Sequence, residues 1–477
     1  MGTGEIDLVE ATITEMSKRL RQGEVSPVDL TRATLERIES VNPKLDCFVT
    51  VASEYAMRRA QLAEDEIRQG KYRGPLHGIP YTLKDNLDTV GVPTTHANPH
   101  GLDLKPKVNS TVHALLEGAG GVLVGKVRMD TITFQAQETL RPLGCFNPWD
   151  VTVTPGTSSS GPGSATAASL GLGSVGTDSG GSVRHPAANC GLVGMRATVG
   201  RISRYPLDCY PASGIQSQAG PMTKTVEDNA IMFQALGVYD PQYPISINEP
   251  PYDYPTGLRD GVKGIRIGLP TDEWIWEKWV TEENEDRVRS AVALLEDMGA
   301  HVLPVSLPLA EESRELSESL GETESWYEDH MSLYENADKW DELQAAIQAN
   351  RNRQVNIESY VVKARKRQMV KQELIAALTE VDVIAMPTGM TLGDKITEDS
   401  TIIRGREVPT RSRGTRLNSL ASITGFPALS VPCGFAMEDR LPVGLQLMGR
   451  PVEEPLLYRV AYAYEQATEW HLRHPPI

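Results

Sequence analysis

Residues 154–202 read TPGTSSSGPGSATAASLGLGSVGTDSGGSVRHPAANCGLVGMRATVGRI, a run built almost wholly of Gly, Ser, Thr and Ala with few charges. Such residues let backbone segments approach closely while keeping hydroxyls together, a composition foreign to a solvated surface loop. Two serine groups stand out in it, Ser158-Ser159-Ser160 and Ser182, and the small residues between them predict a short buried helix followed by a strand. In Thr177-Asp178-Ser179-Gly180-Gly181-Ser182 two glycines precede a serine, so the backbone is free to turn sharply and aim successive amides into one small space. That arrangement fits an oxyanion, and a serine at its end fits a nucleophile, provided that a base takes its proton.

Outward from this stretch the pattern is α/β. Leu8 to Leu20 has helical spacing; Ser26 and Pro27 mark the start of a second helix, which Asn42-Pro43 is expected to end; a third runs from Ser53 to Gln69 and stops at Gly70. Tyr81-Thr82-Leu83 is a short strand ending at Lys84, and Thr111 to Glu117 followed by Gly121 to Val124 reads as a helix and a strand. The same alternation returns in Gly264–Leu269, Asp286–Met298 and Ala300–Val305. Residues 309–380 are mostly helical and charged, and strands at Val381–Met386, Phe426–Pro432 and Leu441–Leu447 precede a C-terminal helix. With no repeat and no long linker, residues 1–477 are expected to form one large domain around a mixed β-sheet covered by helices on both faces. Within it, 1–72 is a helical preface, 73–245 the core carrying the serine-rich stretch, 309–380 a helical cover and 381–477 a return to the sheet.

Composition narrows the function. The 477 residues hold 47 basic and 63 acidic side chains, a net charge of −16, which argues against a general nucleic-acid surface. Five scattered cysteines without CxxC spacing indicate neither a disulfide framework nor a zinc site, and a reducing cytoplasm is the expected location. No apolar run nears the roughly 18 residues that a membrane span needs.

Which group serves as base is open from composition alone. His185 is nearest in sequence, but it sits before Pro186 outside any GxSxG elbow and reads as structural. A lysine serves if burial lowers its pKa from about 10.4 toward neutrality, and a serine-rich, nearly uncharged pocket would supply the burial. Glycines at 161, 163, 171 and 173 lack the GxGxxG order of a dinucleotide loop.

Residues 74–90 (GPLHGIPYTLKDNLDTV) and 155–203 together resemble the amidase signature family of serine hydrolases. Gly125-Lys126, Asn147-Pro148-Trp149-Asp150, Gly220 to Asp228 and Leu441 to Gly449 extend the resemblance over nearly the whole chain. It implies a Ser-Ser-Lys triad in which Ser182 is the nucleophile, Ser158 the bridging serine and Lys84 the base, with a cis peptide bond before Ser158. It also implies an oxyanion hole of the amides of Ser179, Gly180, Gly181 and Ser182, held in shape by Thr177, Asp178 and Arg184. No cofactor and no metal are implied. The chain departs from the family pattern at Thr157, Pro162, Arg196-Ala197-Thr198 and 205–211, departures that point to a specialised substrate near the acyl-binding side.

The resulting expectation is hydrolysis of a small organic amide, an aryl amide or carbamate among the candidates, through an acyl-enzyme. Arg411, Arg416 and Tyr210 are candidates for substrate contact, the arginines otherwise belonging to a solvated loop. The partners expected are the small amide and at most a second copy of the chain, with no nucleic acid and no membrane. The second reading is a subunit that releases ammonia from glutamine within a tRNA-dependent amidotransferase.

Overall fold

The computed structural model describes residues 8–96, 105–129, 145–206, 217–249, 252–320, 356–436 and 440–477. Among these the main feature is one sheet of 11 strands, running in the order β1 (Phe48–Val51), β3 (Val122–Val127), β2 (Pro80–Lys84), β4 (Gly173–Asp178), β6 (Gln218–Thr223), β5 (Val193–Arg196), β12 (Ala428–Ala436), β13 (Leu441–Met448), β9 (Val383–Pro387), β7 (Arg266–Pro270), β8 (His301–Val305). β10 (Ser400–Ile403) and β11 (Arg406–Pro409) form a separate hairpin.

The sheet is mixed, as expected, and helices cover both faces. β3, β2 and β4 run parallel, as do β9, β7 and β8; the stretch between them is antiparallel. Parallel strands need covered faces, and β2, β4 and β9 are buried along their whole length. The outermost strand β8 is half wet and carries Pro304, whose missing N–H blunts an edge.

The first helix spans Ile13–Gln22, not Leu8–Leu20, because Thr12 and Glu15 form a capping box that starts it late. The second begins at Pro27 as expected but passes Pro43 and ends at Leu45. Pro43 is tolerated there because Asn42 closes the end, its side-chain oxygen accepting from the amides of Cys47 and Phe48. The third helix, Ser53–Arg68, ends before Gly70 in the left-handed region. Of the expected helical cover, Ile357–Glu380 is one helix, while residues 321–355 lie outside the described residues. The polar segment after Thr391, for which the sequence predicts no regular element, holds the hairpin β10–β11 and then the helix Thr410–Arg416.

Candidate active site

The serine-rich stretch folds as its composition predicts, into the fully buried helix Ser160–Ala167 and then β4. Pro162 falls in the first turn of that helix, where no helical amide bond is lost. Small residues are required by contact: a Cβ on Gly161 would collide with the backbone nitrogen of Arg128.

Three segments meet at the end of β2. Lys84, its last residue, is completely buried, and its Nζ donates to Ser158 Oγ at 2.7 Å and to the Thr177 carbonyl at 3.4 Å. The Thr157–Ser158 peptide is cis, as the family resemblance implies. Ser159 ties the two serine groups together: its amide donates to the Ser182 carbonyl at 3.2 Å and its Oγ to the Thr177 carbonyl at 3.1 Å. Asn86 Nδ2 donates to Thr177 Oγ1 at 3.1 Å, so Thr177 is gripped on both sides. Ser158 and Ser182 are half-buried and Ser179 is exposed, so the serines are open to solvent while the lysine is not.

Lys126, on the neighbouring strand β3, is equally buried, and burial pushes its amine down to about 8 against the opposing pull of Asp85. That amine donates to the Leu87 carbonyl and to Thr94 Oγ1, whereas Lys84 is the lysine held on a serine.

The turn from Asp178 to Ser182 is set from below by a buried charge cluster. Arg184 holds Asp178 in a two-pronged pair, Nε to Oδ2 at 2.9 Å and Nη2 to Oδ1 at 3.0 Å. Arg196 adds Nη1 to Oδ1 at 3.2 Å and to the Asp178 carbonyl. Burial by itself would raise the Asp178 carboxyl; Arg184 and Arg196 override it and hold the group far below the usual carboxylate range. The carboxylate in turn accepts the Gly181 amide at 2.8 Å and the Val183 amide at 3.2 Å. Gly181, at φ +117°, gives its amide to Asp178, so of the four amides expected to face an oxyanion this one is turned away.

Arg196, which the sequence places near the acyl-binding side, lies instead wholly buried beneath the turn, braced against Asp178 and the Ser422 carbonyl. The signal for it is that Asp178 is the one acidic residue of 154–202, a stretch that also carries Arg184, Arg196 and Arg201. His185, structural by its sequence context, accepts from the Thr157 amide at 3.4 Å and so supports the Ser158 turn.

A second layer closes over the turn from the C-terminal half. Thr415, in the helix Thr410–Arg416, comes within 3.3 Å of a Cβ placed on Gly180, and Asn418 presses on Gly181. Arg416 is committed elsewhere: its guanidinium stacks 3.9 Å from the Trp279 ring centre and pairs with Glu315 at 3.0 Å. Arg404 braces the hairpin turn through Glu282 and Glu285, each at 2.7 Å. Tyr210 and the side chain of Arg411 lie outside the described residues. Among the described residues no three or more His, Cys, Asp or Glu side chains cluster as a metal site, and no helix is long and apolar enough to cross a membrane.

Fold and site together define an enzyme that acts on carbon–nitrogen bonds, and residues 29–458 match the Amidase family model, so the chain belongs to the amidase family. Two relatives span practically all of it. One is the A subunit of glutamyl-tRNA(Gln) amidotransferase from Geobacter sp. (strain M21), 34% identical over 99% of this chain and 100% of that protein. The other is the protein of the same name from Synechococcus sp. (strain JA-2-3B'a(2-13)), 35% identical over 98% of this chain and 94% of that one. Among solved structures, a peptide amidase in complex with the competitive inhibitor chymostatin matches with TM-score 0.80 and 27% identity, over 99% of this chain and 100% of the other. A bacterial aryl acylamidase shares the fold with TM-score 0.84 at 24% identity, covering 97% of each chain. The relatives' names correct the expected partner set of a small amide, no nucleic acid and at most a second copy: they denote one component of an enzyme named for a transfer RNA.

Proposed function

We propose that the chain cleaves an amide by acyl transfer, with Ser182 as nucleophile, Ser158 as proton relay and Lys84 as general base. The observation that carries this is the Lys84 Nζ to Ser158 Oγ bond of 2.7 Å, made by a completely buried lysine to a serine whose neighbour Ser159 donates its amide to the Ser182 carbonyl. Full burial works against an ammonium, and a neutral amine can accept the proton that a serine must lose. Ser182 Oγ attacks the amide carbon as its proton passes through Ser158 to Lys84. The resulting oxyanion is met by the amides of Ser179, Gly180 and Ser182, the Gly181 amide being given to Asp178. The proton returns through Ser158 to the leaving nitrogen, the C–N bond breaks and an ester remains on Ser182. Water, deprotonated by the same relay, releases the acid.

For the amide itself, the reading best supported is glutamine, hydrolysed to supply ammonia within a tRNA-dependent amidotransferase. Its support is that relatives so named align end to end with this chain at 34–35% identity. The second reading is an amidase that works alone on a small amide, aryl amide or carbamate. It is favoured by the departures at Thr157 and Arg196, which fall inside the catalytic stretch, and by the full-length likeness to a peptide amidase.

One experiment separates them. The purified chain is assayed for ammonia release from glutamine and for hydrolysis of a panel of primary amides, anilides and carbamates. Glutamine turnover that depends on copurifying proteins and tRNA supports the first reading; rapid turnover of a panel amide by the chain alone, with none of glutamine, overturns it. Intact-mass labelling of Ser182 by a fluorophosphonate tests the shared chemistry, and labelling undiminished in Ser182→Ala would remove Ser182 from its role.

A further inference from the structure

Gly181 is held from two sides. Below, its amide is fixed to Asp178. Above, a Cβ added to it would lie 2.5 Å from Asn418 Cβ, 2.7 Å from Cγ and 3.0 Å from Nδ2, so the Asn418 side chain rests flat on the Gly181 backbone. Asn418 is fully buried, and its orientation is dictated by its two donors: Nδ2 gives to the Thr388 carbonyl at 2.9 Å, just beyond β9, and to the Gly414 carbonyl at 3.1 Å, in the covering helix. Its Oδ1 is buried without a hydrogen-bond partner, so nothing on that side competes with the arrangement.

The contacts close into a ring. The Asn418 carbonyl accepts from Ser422 Oγ at 3.3 Å; Ser422 Oγ accepts from Arg184 Nη2 at 3.1 Å; Arg184 grips Asp178, and Asp178 caps Gly181. The ring joins the turn to the C-terminal segment 418–422, so it fixes the height of the turn relative to both halves of the sheet.

We propose that Asn418 is a positioning residue for the oxyanion turn: by clamping Gly181 against Asp178 it keeps the adjoining amides of Gly180 and Ser182 aimed where negative charge develops. The inference rests on the acyl-transfer reading given above and assigns a role to a residue that reaches the chemistry only through Gly181. Donors of this kind act through being fixed before the reaction, so loss of the clamp lowers the rate of acylation more than it weakens substrate binding.

The test uses the full chain and a fluorophosphonate, with labelling of Ser182 followed by intact mass. Asn418→Ala is expected to slow labelling about 10- to 100-fold, the range seen when a supporting residue behind a functional group is removed. On whichever panel amide is turned over, kcat should fall by a similar factor with KM within about twofold. Asn418→Asp keeps the shape but sets an anion against the Thr388 and Gly414 carbonyls; its labelling rate relative to wild type should climb as pH falls and the new carboxyl, once protonated, donates again. A rate within about twofold of wild type in folded Asn418→Ala overturns the inference, and Asn418→Ser serves the same comparison if the alanine variant does not fold. Wild-type protein whose Ser182 resists labelling sinks the acyl-transfer reading and this inference together; normal wild-type labelling with an unaltered variant sinks the inference alone.

Discussion

Lys84 and Lys126 sit one strand apart, both wholly buried, yet only Lys84 is held on Ser158. Lys84→Ala should therefore lower turnover by roughly 10²- to 10⁴-fold at neutral pH, the usual worth of a general base, with the remaining activity rising with pH as hydroxide substitutes; a flat residual profile in a pH–rate series would count against the assignment. Arg196→Met leaves Asp178 with one cation in place of two and should destabilise the fold by about 3–5 kcal/mol, the cost of breaking a buried ion cluster from one side, measured by denaturant unfolding. The contact of Lys84 with Ser158 is legible in the sequence because both residues stand in short motifs that resemble the family's. Arg196 and Asn418 are not, since what matters about them is the contact each makes with the turn across the sheet, and no local pattern encodes it.

At the scale of elements, the helix Glu454–Gln466 is pinned to the start of Val226–Leu236 by Glu465, whose Oε2 accepts the Val226 amide at 2.8 Å. Burial, reinforced by the nearby Asp228, pushes the Glu465 carboxyl up to about 8, and burial likewise pushes Asp228 up to about 6. The folded chain thus holds these protons more tightly than the unfolded one. Their contribution is complete below the ordinary glutamate pKa of about 4.3 and is lost as pH rises toward 8, at about 1.4 kcal/mol for each pH unit between the unfolded and folded values. Glu465→Gln should accordingly flatten the fall in melting temperature between about pH 5 and pH 8.5, and a parallel, merely offset curve would refute the assignment. Most strands and helices are legible as apolar runs and helical periodicity bounded by caps. Of the boundaries that differ, Leu8 gives way to the capping box at Thr12 and Glu15, Pro43 is passed by a helix that ends at Leu45, and the helix expected from Asp286 already starts at Glu282. The hairpin β10–β11 escapes a sequence reading because each strand is four residues long and buries a single apolar side chain, Ile403 or Val408, too little to show alternation.

For the whole molecule, the sheet topology brings residues from opposite ends of the chain into one site. Arg416→Ala should leave KM for every substrate unchanged, because its guanidinium is occupied by Trp279 and Glu315; a raised KM on any amide would restore the substrate-contact reading. The fold class is legible in the sequence because the family's motifs are spread from one end to the other. The partners are not, because the net charge of −16 describes the average surface and says nothing about one interface. The division between a floor made by residues 84–184 and a roof made by 388–418 has an evolutionary corollary. Substitutions at Asn418 change the setting of the turn while the reacting groups stay untouched, so one lineage can tune the rate from a segment remote in sequence without replacing a reacting residue. A mutant library confined to Thr415 and Asn418, the residues that press on Gly180 and Gly181, is accordingly the one in which altered rates should be sought.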